Sequence, residues 1–480
     1  MTQVETGSGG KRTFMKIAVG QIVSLLGSSL TNFALALWVL QNTGSVTQFG
    51  ILLLFISLPA FFLSPFAGAW VDRSDRRKVL ILSDAGSALS ILVIAVNYLL
   101  GYQSLWVVAI ALAFSSVCGT FRLPAYLASV TLLVPKDYLP RANGIVQMGE
   151  GLGKLLSPLL AGALLQTIGI QGVLFVDFAT FLFAVATLLV ISIPNPTGEA
   201  VAKPEKEPVW KAAAAGWSFI RERPGMLGLL SYFVFLSFIM SMAEVITPPL
   251  LLASASPAVV GAMVSIFGSG LLAGSVVLSS WRGPKKRIYG VYMFALVHAL
   301  SLAIAGANPN PTVITAGLFL WTFSMPLMNG YMRAIYQVKT PADMQGRVFA
   351  TASTIVQGTS PLALIITGPL ADRVFEPLLS QRGALANTVG QVIGAGKGRG
   401  IGLMMILMGA TVALGVVVGF LHSRLRHIEA ELPDAINEVE KGAAESKPAL
   451  QKGDEKVTGV IERTLEPFEN LDERESVKIT

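Results

Sequence analysis

The sequence has few charged residues and almost no cysteine. Charged side chains make up 14% of its 480 residues, whereas an ordinary globular chain carries about 25%. The single cysteine, Cys118, excludes an intramolecular disulfide framework. The sequence contains no metal-ligand spacing, nucleophile motif or nucleotide-binding pattern. We therefore expect neither an enzyme nor a chain that holds a metal or another cofactor.

Long apolar runs take the place of the missing charge. Twelve of them are long enough to cross the hydrocarbon core of a bilayer, which needs about 20 residues of helix. Their continuous hydrophobicity excludes the alternating pattern of barrel strands. The sequence therefore predicts an all-α polytopic membrane protein with 12 transmembrane helices. Its expected segments are an N-terminal tail (1–14), six helices (15–194), a linker (195–223), six more helices (224–425) and an acidic, disordered tail (426–480).

Lysine and arginine predict the orientation. They occur near the N-terminus, after the twelfth run and in every second connection, including the linker. Because basic loops stay on the cytoplasmic side, both termini should be cytoplasmic, in a chain of the cell membrane. The bases form no basic domain, which argues against nucleic acid as a partner. One predicted outer connection disagrees with the rule, since it carries Arg373, Arg382, Lys397 and Arg399.

The two halves of the chain repeat one another. Segment 135–141, PKDYLPR, is echoed by segment 341–347, PADMQGR, and the same offset relates Gly162 to Gly368. Repeated helical units are typical of secondary transporters. The repeat therefore favours a transporter built by duplication.

The connector GAWVDRSDRRK, from Gly68 to Lys78, places two acids and four bases between two apolar runs. With six helices on each side of a central linker, it resembles the major facilitator superfamily over residues 15–425. The segments FRLPAYLASVTLLVPKDYLPRANG and PADMQGRVFA are most similar to bacterial drug and siderophore exporters, which include macrolide efflux proteins and the enterobactin exporter. The resemblance implies two six-helix bundles that alternate in access to a central site.

The same resemblance implies that the connector helps to hold the bundles together at the cytoplasmic side. Gly68 would permit close helix approach, and Asp72 would accept hydrogen bonds from a helix N-terminus. The arginines would pair with acids across the bundle interface or with lipid phosphates; alternatively, the bases only set the topology. The expected gate residues are Gly68, Asp72, Arg73, Arg76, Arg77 and Lys78.

Glu150 and Lys154 are the most informative charges inside the apolar runs. They lie about 14 and 20 Å past Arg141 along the fifth helix, near mid-membrane. Their four-residue spacing puts them on one face, in the order that suits an ion pair. We expect a cavity-lining pair that binds a polar substrate or exchanges a proton; the alternative is a structural pair between helices.

Other polar residues in the runs are weaker candidates. Glu244 precedes Pro248 and Pro249, which should kink or end the seventh helix, and it is either a coupling site or exposed at the interface. Arg122 either binds an anionic substrate group or snorkels to the interface. The first helix offers the polar side chains Gln21 and Asn32 but no acid.

Three residues are candidates of lower rank. Asp177 in the sixth run suggests a structural hydrogen bond more than a transport role. His298 titrates near neutrality, so it either moves a proton or is only hydrogen-bonded. Arg333 near the inner end of the tenth run is expected to anchor the helix at the interface.

The function expected from these features is secondary active transport. A small molecule, either an amphipathic drug-like compound or a siderophore, would be exported by alternating access, with protons as the coupling ion and the bilayer as solvent. An importer or a lysophospholipid flippase of the same fold is the alternative. A membrane receptor whose acidic tail binds a cytoplasmic partner is the alternative of another class.

Overall fold

The computed structural model describes residues 8–71, 74–102, 104–135, 138–191, 209–281 and 283–431. Within these ranges the chain forms helices and no strands, which confirms the predicted all-α class. A π-helical turn spans Ala371–Phe375. The helices are α1 (Ser8–Thr43), α2 (Val46–Val71), α3 (Arg76–Leu99), α4 (Leu105–Leu133), α5 (Leu139–Thr167), α6 (Gly169–Val190), α7 (Val209–Arg221), α8 (Pro224–Ser254), α9 (Pro257–Ser280), α10 (Arg287–Ala307), α11 (Pro311–Lys339), α12 (Ala342–Gln357), α13 (Thr359–Leu370), α14 (Glu376–Leu378), α15 (Val389–Ile393), α16 (Arg399–Leu421), α17 (Ser423–Arg426) and α18 (Ile428–Glu431).

Eleven spans in the described part of the chain are long and apolar enough to cross a membrane. Helices α12 and α13, divided at Gly358, form one of them together. The helix α5 has 29 residues but is not among the eleven. Its charges, Glu150 and Lys154, and its several glycines lower its hydropathy. The polytopic class is thus confirmed, whereas the predicted count of twelve exceeds the spans that composition alone identifies.

The membrane-length helices form two groups. In the first, α1 packs on α5 and α6, and α4 packs on α2 and α3; in the second, α10 packs on α11 and α16, and α8 packs on α13 and α16. Small residues permit these contacts, as where Gly409 lies against the backbone of Ala299. In a bilayer, helix association depends on such close packing because lipid tails are as apolar as the helices.

The two groups meet through α2 with α13 and through α5 with α9. A methyl group on Gly162 of α5 would lie 2.6 Å from the carbonyl oxygen of Pro257 of α9. Similarly, a methyl group on Gly368 of α13 would lie 2.5 Å from the Cα atom of Thr47 of α2. Both contacts lie near the N-termini of α2 and α9, and we call this end of the molecule the closed end.

Towards the opposite end, a cavity lies between the two groups. Met148 of α5 and Leu272 of α9 line this cavity, and each is 55% exposed. We call this end, where α5 begins and α9 finishes, the open end. The molecule is therefore closed between the bundles at one end and accessible from the other.

Part of the predicted linker is a helix. Helix α7 lies in segment 195–223 and packs on α12. Because Gly216 has no side chain, the carbonyl group of Arg347 lies close to it. The hydroxyl of Thr351 donates to the carbonyl oxygen of Ala213 at 3.2 Å. Residues 192–208 lie outside the described part. Helix α1 likewise begins at Ser8, within the predicted N-terminal tail, and residues 1–7 lie outside the described part.

The packed structure also continues past residue 425. Ile428 of α18 is fully buried, and Glu429 accepts a hydrogen bond from the amide of Ile288 at 3.3 Å. Glu429 also forms an ion pair of 3.5 Å with Arg287, so it stabilises the N-terminus of α10. The first residues of the predicted acidic tail therefore belong to the second bundle, and residues 432–480 lie outside the described part.

The connection between α13 and α16 carries the four bases that disagree with the charge rule. The structure explains one of them, Arg399. Glu376 accepts hydrogen bonds from the amides of Gly398 at 3.1 Å and Ile401 at 2.9 Å, at the start of α16. Arg399 is buried and donates to the carbonyl oxygen of Gly306, at the end of α10, at 2.6 Å. Arg399 therefore ties two helix ends together, whereas the other three bases, Arg373, Arg382 and Lys397, are exposed.

Candidate transport site

A cavity of about 1020 Å³ lies between the two bundles. Helices α1, α5, α8, α9 and α11 contribute to its walls. Most of the lining is apolar, as expected of a site for a greasy molecule. Its large apolar side chains include Phe33, Met240, Phe267, Trp321 and Met325.

Two opposite charges face this cavity from different bundles. Lys154 reaches it from α5 and Glu244 from α8, and both side chains are exposed to it. Lys154 is close enough to act electrostatically on Glu244. The cavity thus combines an apolar surface with one cation and one anion.

The structure excludes one of the two effects expected of the prolines that follow Glu244. Pro248 and Pro249 do not end the helix, because α8 continues to Ser254. The prolines remove the hydrogen bonds that the carbonyls of Glu244 and Val245 would otherwise accept. In a membrane helix, neighbouring helices and hydroxyl groups compensate such losses. Glu244 therefore lies within a continuous helix, facing the central cavity.

The predicted ion pair of Glu150 and Lys154 is wrong. In the described part of the chain, no salt bridge joins them, and they line different cavities. Residues four apart on a helix differ by about 40° in direction. Because α5 packs on α1 and α9, this difference is sufficient to direct Lys154 to the central cavity and Glu150 into the first bundle.

Glu150 lines a cavity of about 230 Å³ between α1, α4 and α5. Gln21 and Arg122 line it too. Arg122 does not snorkel to the interface, since its guanidinium Nη1 lies 3.4 Å from Oδ1 of Asp84 and its side chain is only 17% exposed. Gln21 donates from Nε2 to Oδ2 of Asp84 at 2.7 Å. One arginine therefore lies beside two acids, paired with Asp84 and sharing a cavity with Glu150.

Asp84 is the residue that sequence reasoning missed. It is fully buried in α3 and is the only charged residue in the third apolar run. A lone acid in a membrane span is costly, so it nearly always has a partner and a role. That signal was present, but the sequence did not reveal that Gln21 and Arg122 are its partners.

Asp177 and His298 are buried between packed helices. Asp177 is buried where α6 meets α1 at Gly27, and Thr180 Oγ1 donates to its Oδ1 at 3.4 Å. His298 is buried, with Nδ1 2.9 Å from Ser324 Oγ and Nε2 against the sulfur of Met240. Neither is among the described residues that line the two cavities.

Asn32 of α1 and Arg333 of α11 are exposed. Among the described residues that line the two cavities, neither appears. Arg333 lies towards the end of α11, at the open end of the molecule.

The connector arginines bind within their own bundle. Arg76 donates from Nη1 to the carbonyl oxygen of Ala128 of α4 at 2.8 Å. Arg77 donates to the carbonyl oxygens of Leu188 at 3.0 Å and Leu189 at 2.7 Å, in the last turn of α6. The expectation that these arginines pair with acids across the bundle interface is therefore wrong for this conformation. Their cations instead satisfy main-chain carbonyls, a use that sequence spacing does not reveal.

The rest of the connector is only partly described. Asp75 accepts a hydrogen bond from the amide of Lys78 at 3.2 Å and so caps α3. Lys78 is exposed and Gly68 lies near the end of α2. The predictions for Asp72 and Arg73 concern residues outside the described part.

At the closed end, an acid from one bundle caps a helix of the other. Asp372 follows α13 and accepts hydrogen bonds from the amides of Val46 at 3.0 Å and Thr47 at 2.8 Å, in the first turn of α2. The hydroxyl of Ser45 donates to the same carboxylate at 2.7 Å. These bonds add a polar latch to the close contact of α2 and α13.

Two bundles of membrane-length helices, with a central cavity that is closed at one end and open at the other, define a membrane transporter. The chain belongs to the Major Facilitator Superfamily, whose sequence model matches residues 17–374. The resemblance inferred from the connector is thereby confirmed. The family and the relatives of this chain are transporters, not enzymes.

Similar proteins include exporters. Macrolide efflux protein A of Streptococcus pyogenes is 26% identical over 375 residues, which cover 76% of this chain and 90% of the relative. The enterobactin exporter EntS of Citrobacter koseri is 25% identical over 413 residues, covering 82% of this chain and 91% of the relative. The inward-facing, unoccupied structure of a bacterial homologue of the human lysosomal transporter Spinster superposes with a TM-score of 0.64 at 13% identity, covering 86% and 97% of the two chains. That likeness supports the fold.

Proposed function

We propose that this protein exports an amphipathic small molecule, either a drug-like compound or a siderophore, by proton-driven alternating access in the cell membrane. The observation that carries the proposal is the central cavity, with apolar walls and the charges of Lys154 and Glu244 on opposite bundles. A volume of about 1020 Å³ is large enough for a drug-sized ligand.

The distribution of bases supports an inward-facing orientation. Arg76, Arg141, Arg287 and Arg424 all lie at the open end, close to where their helices begin or finish. Basic segments stay in the cytoplasm, so the open end faces the cytoplasm and both termini lie there. On this view α5 also crosses the membrane and brings the number of spans to twelve. Its two charges are shielded from lipid by α1 and α9.

Two recognition modes fit the cavity. Glu244 suits a cationic amine and Lys154 suits an anionic catecholate or carboxylate, while the aromatic and methionine side chains bind the apolar body. The named relatives, a macrolide efflux protein and an enterobactin exporter, support export as the direction. They favour export over the import and lysophospholipid alternatives.

Proton coupling rests on the cluster around Arg122. Asp84 and Glu150 lie beside this one guanidinium, and a buried cation needs an ionised partner. Protonation of Asp84 would release Arg122 towards Glu150, and its deprotonation would recapture it. The cluster touches α1, α3, α4 and α5, so the exchange of partners alters packing next to the central cavity.

The test is transport by the purified protein in liposomes with an imposed pH gradient. A cationic macrolide, a catecholate siderophore and a fluorescent lysophospholipid serve as substrates. We expect flux of the macrolide or the siderophore that stops when a protonophore removes the gradient. Flux that does not depend on the pH gradient would contradict proton coupling. Flux of the lysophospholipid alone would overturn the proposed substrate class.

A further inference from the structure

A second groove lies on the outer side of the second bundle, away from the transport cavity. It has a volume of about 640 Å³ and runs between α8 and α16 at the open end. Its walls include small residues of both helices, namely Gly228 and Ser231 of α8 and Gly415 and Gly419 of α16. The flanking side chains of α16 point away from the protein, with Leu414 62% exposed and Val418 58% exposed. In a bilayer, this groove is open to the acyl chains.

The end of the groove is basic. His422 and Arg424 line it where α16 passes into α17, and both side chains are exposed. Arg426 follows, with its guanidinium 5.4 Å from the ring centre of Phe420. In the described part of the chain, no acidic side chain forms a salt bridge with Arg424. The groove therefore leads from an apolar surface to positive charge.

A buried polar side chain lies beside the same groove. Tyr232 of α8 lines it, is only 7% exposed, and its hydroxyl has no hydrogen-bond partner among the described residues. Tyr232 follows Pro224 by eight residues, which places it about 12 Å along α8 from the basic end. A headgroup layer is roughly 5–8 Å thick per leaflet. Tyr232 thus lies below the headgroups, where an upper acyl chain would pass.

We propose that this groove is a binding site for an anionic phospholipid of the surrounding bilayer. One acyl chain fills the space above Gly228 and Ser231, beside the side chain of Tyr232, and Arg424 binds the phosphate. Basic pockets between membrane helices on the cytoplasmic side have the chemistry for such headgroups. The lipid would bridge α8, which carries Glu244, and α16.

The test measures thermal stabilisation of the detergent-purified full chain by added lipid. Phosphatidylglycerol should raise Tm, whereas phosphatidylcholine, oleate and inorganic phosphate should not. Arg424→Gln should weaken the apparent affinity for phosphatidylglycerol about fivefold. Ser231→Leu, which fills the groove from an exposed position, should abolish the stabilisation. Lys285→Gln, which removes an exposed base at the same end, is the matched control and should leave it unchanged.

Each opposite result overturns the proposal. Equal stabilisation by phosphatidylcholine would show that headgroup charge is not recognised. Stabilisation by inorganic phosphate alone would assign the effect to a free anion. Full phosphatidylglycerol binding by both Arg424→Gln and Ser231→Leu would place the lipid elsewhere. These outcomes are independent of the transport assay, because they are read without substrate or gradient.

Discussion

Asp372 and Ser45 belong to different bundles and are joined by a hydrogen bond of 2.7 Å. The same carboxylate accepts the first amides of α2, so it acts as a helix cap supplied by the other bundle. Opening the closed end must break all of these bonds. Under the proposed alternating access, the free energy of this cap would contribute to the balance between the two conformations.

Replacing Asp372 should favour the opposite conformation. Asp372→Ala removes a cap worth about 1 kcal/mol, which corresponds to roughly fivefold in the equilibrium between the two states. The measurement is the distance distribution between spin labels at the closed end. Asp372→Asn is the matched control, because asparagine also caps helices; an unchanged distribution in Asp372→Ala would contradict a latch.

The pair of Asp84 and Arg122 should be coupled in stability. Each single alanine variant should lose roughly 2–3 kcal/mol, slightly below the cost for fully buried pairs because Arg122 is 17% exposed. The double variant should lose less than the sum of the two. Thermal unfolding of the four proteins in one detergent gives the coupling, and strict additivity would contradict a direct pair.

Glu244 and Lys154 should divide substrates by charge. Glu244→Gln should bind a cationic amphiphile about tenfold more weakly and a catecholate no more weakly, since a charged hydrogen bond is worth about 1.5–3 kcal/mol. Lys154→Gln should show the reverse. Each variant controls for the other in a ligand-binding titration, and equal losses for both ligands in both variants would exclude charge selection.

Glu150 is expected to act in coupling. Glu150→Gln should abolish gradient-driven flux and leave membrane insertion intact, because the neutral side chain no longer competes for Arg122. Exchange of substrate without a gradient should persist. Gradient-driven flux at the wild-type rate would remove Glu150 from the mechanism.

The sequence predicted the architecture well because membrane helices carry a strong local signal. Long apolar runs, alternating basic connections and the connector from Gly68 to Lys78 together indicated the helical class and the family. Helix α5 is not among the eleven spans that composition identifies, and it brings charge to both cavities. Its two charged residues that line the cavities also lower the hydropathy of that helix.

The candidate site was predicted less well because its partners come from distant segments. Spacing placed Glu150 and Lys154 on one helix face, but it did not separate directions that differ by about 40°. The acceptors of Arg76 and Arg77 are main-chain carbonyls, which leave no mark in the sequence. The latch of Asp372 likewise depends on which helix ends meet in space.

The most direct test of alternating access uses one pair of helices at both ends. Spin labels at positions 141 and 280 report the open end of α5 and α9, and labels at 167 and 256 report the closed end; all four positions are exposed, and Cys118 is replaced by serine. With substrate and an imposed pH gradient, the account predicts that the 141–280 distance shortens while the 167–256 distance lengthens. Distances that change in the same sense, or that do not change during active flux, would contradict it.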